Sequence, residues 1–296
     1  MGGVDVLYGV GATKAGTSWF YRYLHDRHDT GLKSLKELHY WDTFEVELCE
    51  KQIEVQERRI ETFTKLRGQA LVAGQNWRAS NLQRQISDAF GLKDVLKSNR
   101  EDDRAYKEYL MKDIGEARLV ADITPNYGLL DVPTMQRMVA SYSTSRVLFL
   151  VRDPVERLWS HVRMQAVRQR QPGEEIPIKA ERILDRIITS EKETHILKRG
   201  DYSTISERLE RAVPEDRQMT AFIEDIWAGP GLGSVCRFLR LPDQPTRQRP
   251  VHEGVRVELS DVNRKRAAKF LAPQYEWAVE RFGYLPDAWR KNVSEL

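Results

Sequence analysis

Two glycines, a lysine and two hydroxyls are grouped in Gly11-x-x-x-x-Gly16-Thr17-Ser18, with Lys14 inside the loop. The backbone N–H groups of such a loop, with a helix N-terminus behind it, make a concave anion site. A triphosphate-binding loop carries its lysine directly after the second glycine. Thr17 stands there instead. Handling three linked phosphates takes that lysine together with Mg²⁺. The loop amides, Lys14 and the hydroxyls of Thr17 and Ser18 suit a less charged anion, held without metal. The same glycines also serve a plain strand-to-helix turn, so the loop alone leaves both readings open.

Such a loop needs a strand before it and a helix after it. Residues 4–10 read as a short buried strand, and Trp19, Phe20, Tyr23 and Leu24 mark one face of a following helix. Arg118–Ile123 is a second strand, broken by Thr124-Pro125. Arg146–Val151 is a third, and its near-continuous apolar run suits a parallel strand covered on both faces. It stops at Arg152-Asp153-Pro154, and a helix begins near Val155. Residues 218–223 read as a fourth strand, with helices around 205–212 and 261–282. Residues 45–115 are polar, helical and free of proline. They read as a helical insertion after the first strand-loop-helix unit, placed as a wall or lid on the acceptor side of a cleft. Strands alternating with helices predict an α/β, P-loop-like fold: a parallel sheet flanked by helices. The whole chain, 1–296, reads as a single domain.

Composition narrows the classes. Apolar residues make up 41% and charged residues 31%, which suits a globular chain with a sizeable core. No stretch approaches the apolar length of a bilayer span. The N-terminus lacks the charge pattern of a signal peptide. Cys49 and Cys236 are too few for a disulfide framework or a thiolate metal site, so a cytoplasmic setting is the simplest expectation. A net charge of +3 allows an acidic ligand without pointing to nucleic acid.

The segment Gly11-Ala12-Thr13-Lys14-Ala15-Gly16-Thr17-Ser18-Trp19 resembles the 5′-phosphosulfate loop of the sulfotransferases that use 3′-phosphoadenylyl sulfate (PAPS). Val151-Arg152-Asp153-Pro154 and its sequel to Ser160-His161 look like that family's 3′-phosphate motif. There an Arg at the strand end and a Ser eight residues on hold the 3′-phosphate, and Arg152 and Ser160 stand at those places. Both motifs end a predicted strand and open a helix, so they meet at one end of a parallel sheet. Lys36-Glu37-Leu38-His39-Tyr40-Trp41-Asp42 resembles a segment of the heparan-sulfate-type members, in which the Glu is the proposed base and the His and Asp sit nearby. Thr124-Pro125-Asn126-Tyr127 resembles the family's Ser/Thr-Pro-x-Tyr turn. The chain departs from the pattern at Ile123, where the family often has a lysine. The basic loop before the last helices is represented by Arg256.

The resemblance implies a soluble, bacterial-type PAPS-dependent sulfotransferase that needs no metal. Lys14, Ala15, Gly16, Thr17, Ser18, Arg152, Ser160 and Arg256 would bind the donor. Glu37, Lys14, His39 and Asp42 would carry the chemistry, on a hydroxyl or amine of a carbohydrate. Each residue has a plainer alternative. Arg152 can pair with Asp153 or Glu156, Glu37 can be a solvated carboxylate, and His161 can be structural. Arg163, Arg168 and Arg170 can greet an anionic acceptor or form a solvated face. Three other readings of the chain stay open. One is a small-molecule (phenol, lipid or metabolite) sulfotransferase with His39 as base. The others are a P-loop kinase and a non-catalytic nucleotide-binding module.

Overall fold

The computed structural model describes residues 3–190, 192–246 and 254–293. Four strands form one wholly parallel sheet: β1 (Asp5–Gly11), β2 (Leu119–Ile123), β3 (Ser145–Val151) and β4 (Gln218–Phe222), in the order β2-β1-β3-β4. Every residue of β1, β2 and β3 is buried. That agrees with their unbroken apolar runs, since helices cover both faces. The chain runs from β1 to one neighbour and then crosses to the other. The strand order therefore reverses between β1 and β3, and the carboxyl ends there open a crevice.

The helices follow in chain order. After β1 come α1 (Thr17–His25), α2 (Val46–Val72), α3 (Asn76–Lys97) and α4 (Arg104–Met111). After β2 a 3₁₀ turn over Pro125–Leu129 leads to α5 (Val132–Ala140). Between β3 and β4 lie α6 (Pro154–Gln169), α7 (Ile176–Ser190), α8 (Thr194–Lys198) and α9 (Tyr202–Ala212). After β4 come α10 (Ile223–Ala228), α11 (Pro230–Phe238), α12 (Asp261–Phe270), α13 (Ala272–Phe282) and α14 (Asp287–Val293). One buried cluster runs from Val6 in β1 to Trp289 in α14.

The predicted parallel sheet, its four strands and the helical insertion are all present. The terminal helix expected over 261–282 is two helices, because Pro273 enters the first turn of α13 and removes an N–H that a continuous helix would need. The helix expected from 205 starts at Tyr202, where the Asp201 carboxylate accepts from the Thr204 N–H at 3.1 Å. The insertion is an antiparallel pair, α2 and α3, followed by α4. Near its tip Ala70, Ala79 and Leu82 form a small cluster separate from the main core.

Candidate functional site

The glycine loop joins β1 to α1. Gly16 has φ +82°, and a Cβ there would sit 2.5 Å from Ile223 Cγ1 at the start of α10. Both the left-handed backbone and the close approach require glycine. Lys14 also has positive φ, +72°. Its ammonium faces the crevice with its pKa lowered, first by burial and then by the charges of Arg152, Lys36, Arg163 and Arg168. Cations are crowded here.

Arg152 follows β3 and reaches the back of the loop: its guanidinium donates to the Lys14 carbonyl at 3.3 Å. Its link to Glu156 is long, 3.8 Å, and Glu156 is shared with Arg264 at 2.7 Å. Asp153 does not pair with Arg152. It caps α6 through the Glu156 N–H and accepts from Asn292 and Tyr275. Burial pushes its carboxyl up to about 6, against those hydrogen bonds. The Tyr202 hydroxyl donates to the Arg152 carbonyl at 2.6 Å. Strand end, helix cap and tyrosine thus hold Arg152 from three sides. Ser160 lies on α6 and opens into the same crevice.

Residues 36–42 have no regular secondary structure. Glu37 and His39 both adopt left-handed backbone, φ +62° and +54°. A buried network holds the segment there. Asp122 of β2 accepts from the hydroxyls of Tyr106, Tyr127 and Thr124 at 2.9, 2.8 and 2.7 Å. The Tyr127 hydroxyl in turn accepts from the Tyr40 N–H at 2.9 Å. From the insertion, Arg100 donates to the carbonyls of Thr43 and Tyr40, and Asp103 accepts from the Tyr40 hydroxyl. Insertion residues 45–115 contribute no lining side chain to the crevice; residues 100 and 103 grip the segment from behind.

On that support the polar groups form a chain. His39 Nδ1 lies 2.8 Å from Asp42 Oδ2, and His39 Nε2 lies 3.7 Å from Glu37 Oε2. The Asn126 amide donates to Asp42 at 2.5 Å, and Arg199 donates to Asn126 at 3.0 Å. Burial acts to lower the His39 pKa, but Asp42 and Glu37 outweigh it and hold the imidazole up at about 9. Burial acts to raise Glu37, but His39 and Lys36 outweigh it and hold the carboxyl at about 2. At neutral pH this is a carboxylate–imidazolium–carboxylate array.

The crevice has a volume of about 740 Å³. Among the described residues, Lys14, Lys36, Arg152, Arg163, Arg168 and Arg199 line it against one carboxylate, Glu37. A site with this balance takes an anion. The structure brings together Lys14, Gly16, Thr17, Ser18, Glu37, His39, Arg152 and Ser160 along its walls, with Ala15 and Asp42 immediately behind. Arg163 and Arg168 line it, while Arg170 does not. Arg256 is exposed and also outside the lining; its neighbours Val255 and Val257 accept from Arg163 and Trp159 of α6. Residues 247–253 of that loop lie outside the described residues. His161 is buried, and burial with the charges of Arg157 and Arg199 pushes it down to about 2, so it is neutral. Ile123 packs on Gly9, with no cation in its place.

Three residues of this arrangement carry no role in the sequence motifs above. Lys36 adjoins Glu37, and Asn126 belongs to the Thr-Pro-Asn-Tyr turn, so both had a signal. Arg199 had none. Among the described residues no group of three or more His, Cys, Asp or Glu is arranged for a metal ion, and no helix is long and apolar enough to cross a membrane.

No protein-family model matches the chain, and no curated protein matches it by sequence. A solved structure does match: a sulfotransferase from Alicyclobacillus acidocaldarius, with a TM-score of 0.60 over 98% of this chain and 100% of that one. The two sequences are 19% identical. The chain shares the fold of that structure, a parallel sheet between helices. At that identity the likeness extends to the fold.

Proposed function

We propose that the chain transfers a sulfuryl group from PAPS to a hydroxyl or amine. The observation that carries this is the meeting, in one cationic crevice, of the glycine loop, the Arg152/Ser160 pair and Glu37. The loop amides with Thr17 and Ser18 hold the 5′-phosphate. Arg152 and Ser160 hold the 3′-phosphate, which separates PAPS from a nucleotide lacking it. The acceptor oxygen or nitrogen attacks sulfur in line, the bond from sulfur to the bridging oxygen breaks, and adenosine 3′,5′-bisphosphate (PAP) leaves. Glu37 takes the acceptor proton. Lys14 stabilises the charge that builds on the bridging oxygen.

Glu37 is favoured over His39 as base by the array around the imidazole. A histidine clamped between two carboxylates is already protonated at neutral pH and orients Glu37 instead. A carbohydrate acceptor fits the Glu-x-His-x-x-Asp segment, and Arg163 and Arg168 in the lining suit one bearing negative charge. The segment from residue 45 to 115 supports the acceptor side through Arg100 and Asp103. A reducing cytoplasm, in which Cys49 and Cys236 stay thiols, fits the same reading.

Calorimetry with PAP and adenosine 5′-phosphosulfate tests the donor. A charge-assisted contact is worth roughly 1.5–3 kcal/mol, or about 10–150-fold in affinity. Arg152→Ala should weaken PAP by that factor and leave adenosine 5′-phosphosulfate, which has no 3′-phosphate, nearly unchanged. Equal losses for both ligands would remove the assignment.

A further inference from the structure

Lys36 joins the two walls of the crevice. Its ammonium lies 3.3 Å from Thr17 Oγ1, 3.0 Å from Ser18 Oγ and 2.8 Å from Glu37 Oε1. An ammonium has three protons, and these three partners use them all. Each hydroxyl accepts from Lys36, so its own proton is free to be given to an anion at the loop. Glu37 is tied on both oxygens, one to Lys36 and the other to His39. In this state the loop hydroxyls are set to donate while the carboxylate is engaged.

We propose that Lys36 is a further catalytic residue, which moves from Glu37 onto the sulfuryl oxygens when the donor binds and thereby frees Glu37 to act as base. This rests on the donor reading above. Lys36 stays protonated throughout. The electron pair of the breaking sulfur–oxygen bond goes to the bridging oxygen of PAP, and the acceptor proton goes to Glu37. Lys36 only exchanges one anionic partner for another. The exchange has a direction. A carboxylate held at about 2 is a poor proton acceptor at neutral pH. The charge and the hydrogen bond of Lys36 are two of the influences holding it down, so their removal raises it. Among the described residues, His39 beside it, Arg59 from α2 and Arg199 after α8 also act on Glu37. Of these four cations only Lys36 also touches the donor loop. The base is thus engaged until a sulfuryl group is present, and transfer follows an order: donor first, proton second.

Lys36→Met and Lys36→Arg, with PAP affinity, turnover and pH profile for each, test this. Lys36→Met should lower kcat with saturating PAPS about 100-fold and change PAP affinity less than about threefold, because PAP has no sulfuryl group. Its free-enzyme acid limb in kcat/KM should move to higher pH, since Glu37 loses a cation. Lys36→Arg keeps the charge and should recover at least about a tenth of wild-type turnover. A Lys36→Met turnover within about threefold of wild type overturns the proposal. So does a large loss with the acid limb unmoved, which marks a structural role. A measurement on the wild-type protein serves if Lys36→Met does not fold: the Glu37 carboxyl followed by ¹³C NMR should titrate higher with PAP and sulfate bound than in the free protein. An unchanged titration overturns the proposal as well. Failure of PAP to bind the wild-type protein instead overturns the donor reading, and Lys36 with it.

Discussion

On the donor side of the crevice, side chains project from the ends of β1 and β3, while on the other side Glu37 and His39 hang on chain with no regular structure. The donor side needs little beyond the sheet. Gly16 is fixed by contact with Ile223, and Arg152 by the end of β3, the cap of α6 and the Tyr202 hydroxyl. The other side is fixed at long range. Glu37 and His39 sit in left-handed backbone, as Lys14 does across the crevice, which costs a non-glycine residue free energy. Asp122 and Tyr127 from one part of the chain, and Arg100 and Asp103 from another, hold the segment through Tyr40 and Thr43. The two supports are therefore separate, although Lys36 bridges the walls they hold. Damage to the support of residues 36–42 should spare donor binding.

The largest break in that comparison is expected at Glu37. General-base catalysis supplies about 10²–10⁴-fold in rate, so Glu37→Gln should lower turnover by that order while PAP affinity stays near wild type. His39→Ala should cost less, because its proposed role is orientation. The pH dependence carries a sign. The His39 pKa is raised from 6.5 to about 9 in the folded protein. Its stabilising contribution is complete below 6.5 and is lost as pH rises through about 9. Thermal melts should decline over that window in the wild type and lose that component in His39→Ala. Steady-state transfer beside PAP calorimetry checks the first part. Should His39→Ala be inactive while Glu37→Gln retains most of its turnover, the imidazole is the base.

The same division explains what the sequence makes legible. The loop at 11–18 and the turn at Arg152 follow strands whose apolar runs are unbroken, and periodicity alone locates such strands. The parallel sheet follows from strands of that kind alternating with helices. Residues 36–42 carry no periodicity. Their likeness to a known segment supplies the residue types but not the hydrogen bonds between them. That Lys36 meets Thr17 and Ser18, or that Arg199 meets Asn126 across 73 positions, depends on tertiary packing. The break of the terminal helix at Pro273 had a local signal, whereas the short helices α8, α10 and α11 are too brief to show a repeating apolar face.

Tyr127→Phe sharpens the comparison with a smaller effect. The ring is fully buried, and its hydroxyl joins Asp122 to the Tyr40 N–H. Its removal leaves the amide short of a partner and takes one of three hydroxyls from Asp122. A buried group left unsatisfied costs about 1–3 kcal/mol. The melting temperature should fall by several degrees. Turnover should fall less than the roughly 100-fold that a 1 Å misplacement can cost, and PAP affinity should hold. A loss of PAP affinity as large as the loss of turnover would show that the two walls are coupled through Tyr127, contrary to the separation drawn from their supports.

The smallest effect is expected from removing divalent metal, and it bears on the donor side alone. Mg²⁺ in phosphate sites is held by one or two carboxylates together with the substrate phosphates. Among the described residues, the one carboxylate lining the crevice is Glu37, and its oxygens are engaged by Lys36 and His39. Six cationic side chains surround it and raise the local potential, which opposes a divalent cation and favours an anion. Under the proposed function, Lys14 and Lys36 neutralise charge on the transferring group in place of a metal. The initial rate of transfer from PAPS should therefore change less than about twofold in excess EDTA, a shift far below the loss expected for Glu37→Gln. A complete loss restored by Mg²⁺ would mean that the loop handles linked phosphates. The donor would then be a nucleoside triphosphate, and the displaced lysine would no longer distinguish this loop from that of a kinase.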